Sequence, residues 1–190
     1  MNLLSLALAA ILINNVVLTK YLGLCPFFGV SKSSKSAVGM GLAVTFVIFG
    51  ASLITYFLYY VILVPNKMEY MRLITFILVI ASFVQFVEMF IKKFSASLYK
   101  ALGIYLPLIT TNCVVLYVAQ DNITQKYDLL TTCVNSLAVP IGYMLVLVLF
   151  SCMRERLDSS ATPKSWKGNP IALVAAALMA LAFSGLAGIV

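Results

Sequence analysis

Six apolar stretches, each close to the length that crosses a lipid bilayer, make up most of this chain of 190 residues. They lie at about 2–24, 37–64, 71–91, 101–119, 129–152 and 170–190. A membrane-spanning helix needs about 20 residues. Only 10% of the residues are charged, against about 25% in soluble domains. We therefore predict an all-α integral membrane protein with six transmembrane helices in a single transmembrane domain, residues 1–190.

The 13 basic residues fall unevenly on the two sides of this predicted domain. Ten are assigned to the loops after predicted helices one, three and five: Lys20, Lys32, Lys35, Lys92, Lys93, Lys100, Arg154, Arg156, Lys164 and Lys167. The other three are Lys67, Arg72 and Lys126. The positive-inside rule then makes the first set cytoplasmic and places both termini outside. Because this topology accounts for the net charge of +7, we expect contact with membrane lipid and none with nucleic acid.

An odd number of helices in each half inverts the second half relative to the first. We predict two inverted three-helix repeats at about 1–97 and 98–190. Two local echoes suggest the repeat, although they do not fall in one alignment. Asn15-Val-Val-Leu18 resembles Asn112-Cys-Val-Val-Leu116, and Leu22-Gly-Leu24 resembles Leu102-Gly-Ile104. Inverted repeats place a binding site near the bilayer midplane, where the two halves meet.

Two cysteines lie in apolar segments that also carry helix-breaking residues. Cys25 belongs to Tyr21-Leu-Gly-Leu-Cys-Pro-Phe-Phe-Gly-Val30, and Cys113 belongs to Leu106-Pro-Leu-Ile-Thr-Thr-Asn-Cys-Val-Val115. We predict that helices one and four are broken near these motifs. Irregular backbone at membrane depth is tolerated only where it is buried in protein or lines a cavity. A soft thiolate at each break favours a metal centre of the iron–sulfur type.

The remaining cysteines do not complete such a centre. Cys133 and Cys152 lie 19 residues apart on predicted helix five, or about 28 Å along its axis, so both cannot ligate one cluster. A two-iron cluster takes four thiolates, so a second chain would have to supply the missing ligands. The residues alone leave open that Cys25 and Cys113 are only small packed hydrophobes. Histidine is absent, which excludes histidine-ligated haem and Rieske-type clusters.

Four polar residues near the breaks are candidates to donate hydrogen bonds to cluster sulfurs. They are Asn15, Thr110, Thr111 and Asn112. For the asparagines, hydrogen bonding between helices is an equally physical interpretation.

Glu88 lies near the cytoplasmic end of predicted helix three, one turn after Gln85. Acidic residues inside a membrane are candidates for ion pathways. Lys92 follows one turn later, however, so an ordinary ion pair at the end of helix three is an alternative.

Several long motifs match a known family. They are Asn14-Asn-Val-Val-Leu-Thr-Lys-Tyr-Leu-Gly-Leu-Cys-Pro-Phe27, Gly39-Met-Gly-Leu-Ala43, Leu102-Gly-Ile-Tyr-Leu-Pro-Leu-Ile-Thr-Thr-Asn-Cys113 and Arg154-Glu-Arg156. Over essentially its whole length the chain resembles the RnfA type of membrane subunit from the Rnf ion-translocating electron-transport complexes. The sister family is the NqrE type, from the sodium-translocating NADH:quinone reductases. It usually has Glu-Asn and Cys-Thr where this chain has Asn14-Asn15 and Cys25-Pro26, which favours the Rnf type.

The resemblance implies a specific role in electron transfer. Members of the family have six helices and pair with a homologous membrane subunit of opposite topology, the E-type Rnf subunit. Each partner gives two cysteines to one intramembrane [2Fe–2S] cluster, and Cys25 and Cys113 match those metal-ligand positions. The complex lies in the prokaryotic inner membrane and transfers electrons between ferredoxin and NAD, coupled to Na⁺ or H⁺ translocation. Flavins and further iron–sulfur clusters belong to its other subunits, so this chain would be a non-catalytic electron-transfer subunit of a translocase.

Two other classes of function fit parts of the pattern. A secondary transporter also has broken helices and inverted repeats. A passive assembly subunit would carry no cofactor and therefore no visible colour, unlike an iron–sulfur protein.

Overall fold

The computed structural model describes residues 3–31, 34–66, 69–94, 108–109, 111–159 and 168–185. Within these ranges the regular structure is helical throughout. The helices are α1 (Leu3–Leu8), α2 (Val16–Lys20), α3 (Leu24–Val30), α4 (Ser34–Leu58), α5 (Arg72–Phe94), α6 (Cys113–Thr124), α7 (Leu129–Asp158) and α8 (Asn169–Ser184). The prediction of an all-helical protein is confirmed for this part of the chain.

Three of the described helical segments are long and apolar enough to cross a membrane. They run over Ser36–Leu63, Arg72–Met89 and Leu129–Leu157. These segments match the second, third and fifth predicted spans. The region of the sixth predicted span contains the shorter apolar helix α8, Asn169–Ser184. Long uninterrupted apolar runs thus fold as the sequence predicts.

Two breaks divide the region of the first predicted span into three short helices, the last of which, α3, extends past the predicted end at 24 to Val30. A π-helical turn over Ala9–Ile13 continues α1, and α2 starts only after Asn14 and Asn15. A second break at 21–23 separates α2 from α3. The prediction of a break near Cys25 is therefore confirmed, whereas the earlier break was not predicted. Lys20, counted above among the loop residues, ends α2 instead.

The fourth predicted span is described only in part. Residues 101–107 and Thr110 lie outside the described residues. The backbone is non-helical at Thr111 and Asn112, and α6 begins at Cys113. The helix then continues to Thr124, past the predicted end at 119. The break before Cys113 is thus present in the structure.

The core forms where α7 packs against α4 and where α6 fills the space beside them. Its largest fully buried side chains include Tyr143, Phe27, Phe150 and Met40. By contrast, α5 carries a row of exposed large apolar side chains, including Ile74, Leu78 and Phe86. An apolar exterior of this kind suits a surface that faces lipid or another membrane subunit.

Candidate metal centre

The turn before Cys113 is fixed by Asn112. This residue has an extended backbone, with φ −71° and ψ 115°, and its side-chain oxygen accepts a hydrogen bond of 3.1 Å from the Val114 N–H. Asparagine is among the best helix N-caps because its side chain satisfies one of the free N–H groups of the first turn. The cap makes Cys113 the first residue of α6.

Asn15 makes the same kind of cap in the first half of the chain. Its backbone has φ −64° and ψ 117°, and its side-chain oxygen accepts a hydrogen bond of 3.2 Å from the Val17 N–H. The sequence echo between the two halves therefore corresponds to a shared local structure. In this match Val16 takes the place of Cys113.

Cys25 is reached through a second turn that the other half does not have. Tyr21 and Gly23 both adopt left-handed backbone conformations, with φ 55° and 77°. A left-handed conformation costs an L-residue about 1–2 kcal/mol, whereas glycine adopts it freely. The chain then enters α3, with Cys25 as its second residue and Pro26 as its third. Proline is tolerated in a first helical turn, so Gly23 rather than Pro26 makes the break.

Contacts at Gly23 bring the two cysteine-bearing turns together. A Cβ atom added to Gly23 would lie 2.6 Å from Val114 Cγ2 and 3.3 Å from Asn112 Oδ1. Two residues after Gly23 comes Cys25, and Cys113 separates Asn112 from Val114. Segments that are far apart in the sequence are thus in direct contact, and each lies next to a candidate ligand.

Cys25 and Cys113 are both free and exposed at the surface of this chain. Free cysteine is among the residues most often buried, whereas these two are exposed beside the contact between the two turns. Cys133 is partly buried and Cys152 is exposed, both on α7. Among the described residues no group of three or more His, Cys, Asp or Glu side chains is placed to hold a metal ion.

The side-chain amide of Asn112, the residue before Cys113, has N–H groups that are not used in a hydrogen bond to any described residue. Its side-chain nitrogen is buried and has no hydrogen-bond partner within the described part of the chain. A buried polar group without a partner is costly, so this N–H group needs an acceptor. The Tyr143 hydroxyl is a second buried group of this kind, and its ring would lie 3.1 Å from a Cβ atom on Gly23. Nothing in the sequence alone singled out Tyr143.

Asn15 differs because its side-chain N–H groups have protein partners. Its side-chain nitrogen donates to the Gly142 carbonyl at 2.8 Å and to the Ile11 carbonyl at 3.4 Å. This arrangement matches the helix-linking interpretation given above for the asparagines. Thr111 is exposed, and Thr110 lies outside the described residues.

Arg154 holds the C-terminal end of α3, the helix that carries Cys25 (called the Cys25 helix below). The Arg154 residue is only 4% exposed. Its Nη1 donates to the Phe28 carbonyl at 2.9 Å and to Ser31 Oγ at 2.8 Å. Its Nη2 donates to Asn169 Oδ1 at 3.4 Å. From the sequence, Arg154 is identified only as part of a family motif and as one of the basic loop residues. Its contact with Phe28 joins residues 126 positions apart, and no local sequence pattern indicates such a contact.

A separate polar cavity of about 250 Å³ lies between the first helical segment, α6 and α7. Its polar lining residues include Asn14, Lys20, Asp121, Gln125 and Asn135. Tyr127, in the turn after α6, also lines it. Burial raises the pKa of the Tyr127 phenol, and the Asp121 carboxylate adds to that increase, so the phenol stays neutral at pH 7.

Glu88 lies near the end of α5 and is partly exposed. Lys92, one turn later, is exposed. The ion-pathway interpretation of Glu88 stays a prediction.

Comparison with known proteins identifies the class to which this fold and these motifs belong. A family described as "Rnf-Nqr subunit, membrane protein" matches residues 3–190. The A subunit of the Na⁺-translocating ferredoxin:NAD⁺ oxidoreductase complex of Acetobacterium woodii is 54% identical over 188 residues, covering 99% of this chain and 98% of that protein. Two proteins named as the A subunit of an ion-translocating oxidoreductase complex, from Shewanella sp. strain ANA-3 and Shewanella oneidensis, are each 50% identical over 185 residues. Those matches cover 97% of this chain and 96% of each relative.

The chain therefore belongs to the Rnf-Nqr family of membrane proteins. The resemblance to the RnfA type stated from the motifs is confirmed by these relatives, whose names place them as the A subunit of ion-translocating oxidoreductase complexes.

Proposed function

We propose that this chain is the electron-transfer membrane subunit of an Rnf-type ferredoxin:NAD oxidoreductase and holds half of an intramembrane [2Fe–2S] cluster. Cys25 and Cys113 would be its two thiolate ligands, and a homologous subunit of opposite topology would give the other two. When bound, such a cluster accepts and releases one electron at a time. The names of the relatives, which include a Na⁺-translocating ferredoxin:NAD⁺ oxidoreductase complex, support the assignment to this kind of complex.

The contact between the two cysteine-bearing turns is the observation that carries the proposal. Gly23, two residues before Cys25, lies against Asn112 and Val114, which flank Cys113. Both cysteines are exposed at the surface of the described chain. Two thiolates are half of the ligand set of a two-iron cluster, and their exposure leaves them accessible to a second chain.

The chemistry around the thiols also fits a cluster. A thiolate-bound cluster is anionic, and its charge is costly in an apolar environment unless hydrogen bonds compensate it. The unpaired side-chain N–H of Asn112 is a donor of the required kind, one residue from Cys113. Hydrogen bonds to the sulfurs are also one way in which proteins set the reduction potential. In this arrangement Asn112 tunes the site, whereas Asn15 secures the helix that precedes Cys25.

The inverted six-helix topology belongs to the same proposal. The caps at Asn15 and Asn112 have closely similar backbone angles, with φ −64° and −71° and ψ 117° and 115°, as two halves of one repeat would. The basic residues favour a cytoplasmic position for the segments after helices one, three and five, with both termini outside. A site between the halves would then lie near the bilayer midplane, where an electron crossing the membrane needs a carrier.

The test is to express the chain with and without its homologous membrane partner. We expect the chain alone to hold no stable cluster, because it offers only two suitably placed thiolates. Co-expression should give a brown subunit pair with two irons and the electron paramagnetic resonance signal of one [2Fe–2S] centre. Two irons bound to the isolated chain would rule out shared ligation. A colourless pair would instead favour a transporter or a passive assembly subunit.

A further inference from the structure

Arg154 is a buried cation whose contacts concentrate on one end of the Cys25 helix. Its side chain is 4% exposed, and both described contacts of its Nη1 atom are at the C-terminal end of α3 or just beyond it. The Phe28 carbonyl is one of the last carbonyls of that helix, which lack partners inside the helix itself. Ser31 follows α3 directly.

Aromatic stacking reinforces the same junction. Phe150 lies one turn before Arg154 on α7, and its ring stacks on Phe27 with centroids 4.3 Å apart. It also meets the edge of the Phe28 ring at 5.8 Å. Side chains four residues apart lie on one face of a helix, so Phe150 and Arg154 form a single surface of α7 that receives α3.

Glu155, which follows Arg154 in α7, fixes the start of α4. The Glu155 carboxylate accepts hydrogen bonds from the Ser34 backbone N–H at 3.1 Å and from the Ser34 hydroxyl at 2.9 Å. Ser34 is the first residue of α4. Arg154 and Glu155 therefore hold the end of α3 and the start of α4, respectively, at the end of α7.

The Cys25 helix depends on such external support. It has seven residues, and helices this short are unstable on their own because nucleation is unfavourable. Its N-terminal end follows Gly23, which lies against Asn112 and Val114, and the Arg154 contacts hold its other end. The contacts at the two ends together fix the direction of α3.

We propose that Arg154 is a positioning residue that sets the location of the Cys25 thiolate relative to Cys113. This inference rests on the proposed function, since it concerns one ligand of the shared cluster. A guanidinium suits the role because its planar fork bonds to several acceptors at once, whereas a lysine ammonium is a point charge on a flexible stem. The described contacts of Arg154 include neither thiol, so it acts through α3.

The first experiment measures thiol alkylation in the full chain expressed in membranes without its partner. A Cys133→Ser/Cys152→Ser background leaves two thiols to follow. We expect Arg154→Gln to change the alkylation rate of Cys25 at least about fivefold and to leave that of Cys113 within about twofold. The reason is that both Nη1 bonds hold the end of α3, whereas none of the described Arg154 contacts involves α6. General destabilisation would change both rates together and would overturn the proposal, as would two unchanged rates. Arg156→Gln, an exposed arginine two residues later, is the matched control and should change neither rate.

The second experiment examines the co-expressed pair. Arg154→Gln should shift the g-values of the cluster signal and slow electron transfer through the complex at least about tenfold, and Arg154→Lys should recover only part of the rate. Should Arg154→Gln fail to assemble, Ser31→Ala removes the Arg154 contact at 2.8 Å and the longer bond of 3.5 Å from the Ser31 hydroxyl to the Phe28 carbonyl, and it should still shift the signal. Unchanged g-values and rates in the assembled variants would overturn the positioning role. Cys25→Ser in the same system separates the two claims, because a cluster retained there would refute the proposed function itself.

Discussion

The two turns that present the cysteines begin with the same asparagine cap and reach their thiols differently. In the second half Asn112 caps α6, and Cys113 follows at once. In the first half Asn15 caps α2, and Cys25 comes only after two left-handed residues and the start of α3. The asparagine cap is therefore repeated in both halves, but it positions only Cys113 directly and not Cys25. The first thiol depends on a glycine turn and on distant contacts, whereas the second depends on its own cap.

Gly23→Ala tests the first turn and should have the largest effect on stability. Alanine at φ 77° costs about 1–2 kcal/mol, and its Cβ would lie 2.6 Å from Val114 Cγ2, which adds about 1–3 kcal/mol of overpacking. We expect a loss of about 3 kcal/mol in the free energy of unfolding in detergent, together with loss of the cluster signal.

Gly39→Ala is the matched control for that change. Gly39 lies within α4, and a Cβ there would meet no atom within 4 Å. Alanine is the better helix former by about 1 kcal/mol, so this variant should be as stable as the parent chain or more so. Equal stability of the two alanine variants would show that Gly23 is not needed to join the turns.

Asn15→Ala should have an intermediate effect. It removes the cap on Val17 and the bond of 2.8 Å to the Gly142 carbonyl. Loss of an N-cap costs about 1 kcal/mol, and loss of the buried bond from the Asn15 amide to the Gly142 carbonyl adds about 1 kcal/mol. Thermal unfolding in detergent should show a clear loss of stability. A cluster signal of unchanged shape in the folded fraction would agree with a structural role, and altered g-values would instead favour direct contact of Asn15 with the cluster.

Asn112→Ser should have the smallest effect on stability and a specific effect on the cluster. Serine caps helices about as well as asparagine, so the free energy of unfolding should change by less than about 0.5 kcal/mol. Because the unpaired amide N–H of Asn112 is lost, the midpoint potential should become more negative. Redox titration followed by electron paramagnetic resonance measures this shift. An unchanged potential would remove Asn112 from the set of sulfur donors.

The sequence predicts those parts of the structure that local composition determines. The long helices α4, α5 and α7 follow from apolar runs, because a helix satisfies every backbone polar group of such a run within a membrane. The breaks before Cys25 and Cys113 follow from Gly23 and Asn112, which favour left-handed and capping conformations. Even so, Pro26 looked like a breaker and is accommodated in the first turn of α3.

Other features depend on tertiary contacts that the sequence does not reveal. The Arg154 contacts with Phe28 and Ser31 join residues 126 and 123 positions apart. The different use of the two asparagines also has no sequence signal, since both stand before similar apolar residues. The packing of α7 against Asn15, through the Gly142 carbonyl, occupies the Asn15 amide, whereas the amide of Asn112 has no partner in the described part of the chain.

The most direct test of the central claim is a cysteine replacement series in the purified subunit pair, read by iron content and electron paramagnetic resonance. Serine replaces a soft thiolate by a hard hydroxyl. Cys25→Ser and Cys113→Ser should therefore each abolish the [2Fe–2S] signal and stop electron transfer through the complex. Cys133→Ser and Cys152→Ser should leave both intact. A normal signal with full electron transfer in Cys25→Ser or Cys113→Ser would contradict the account.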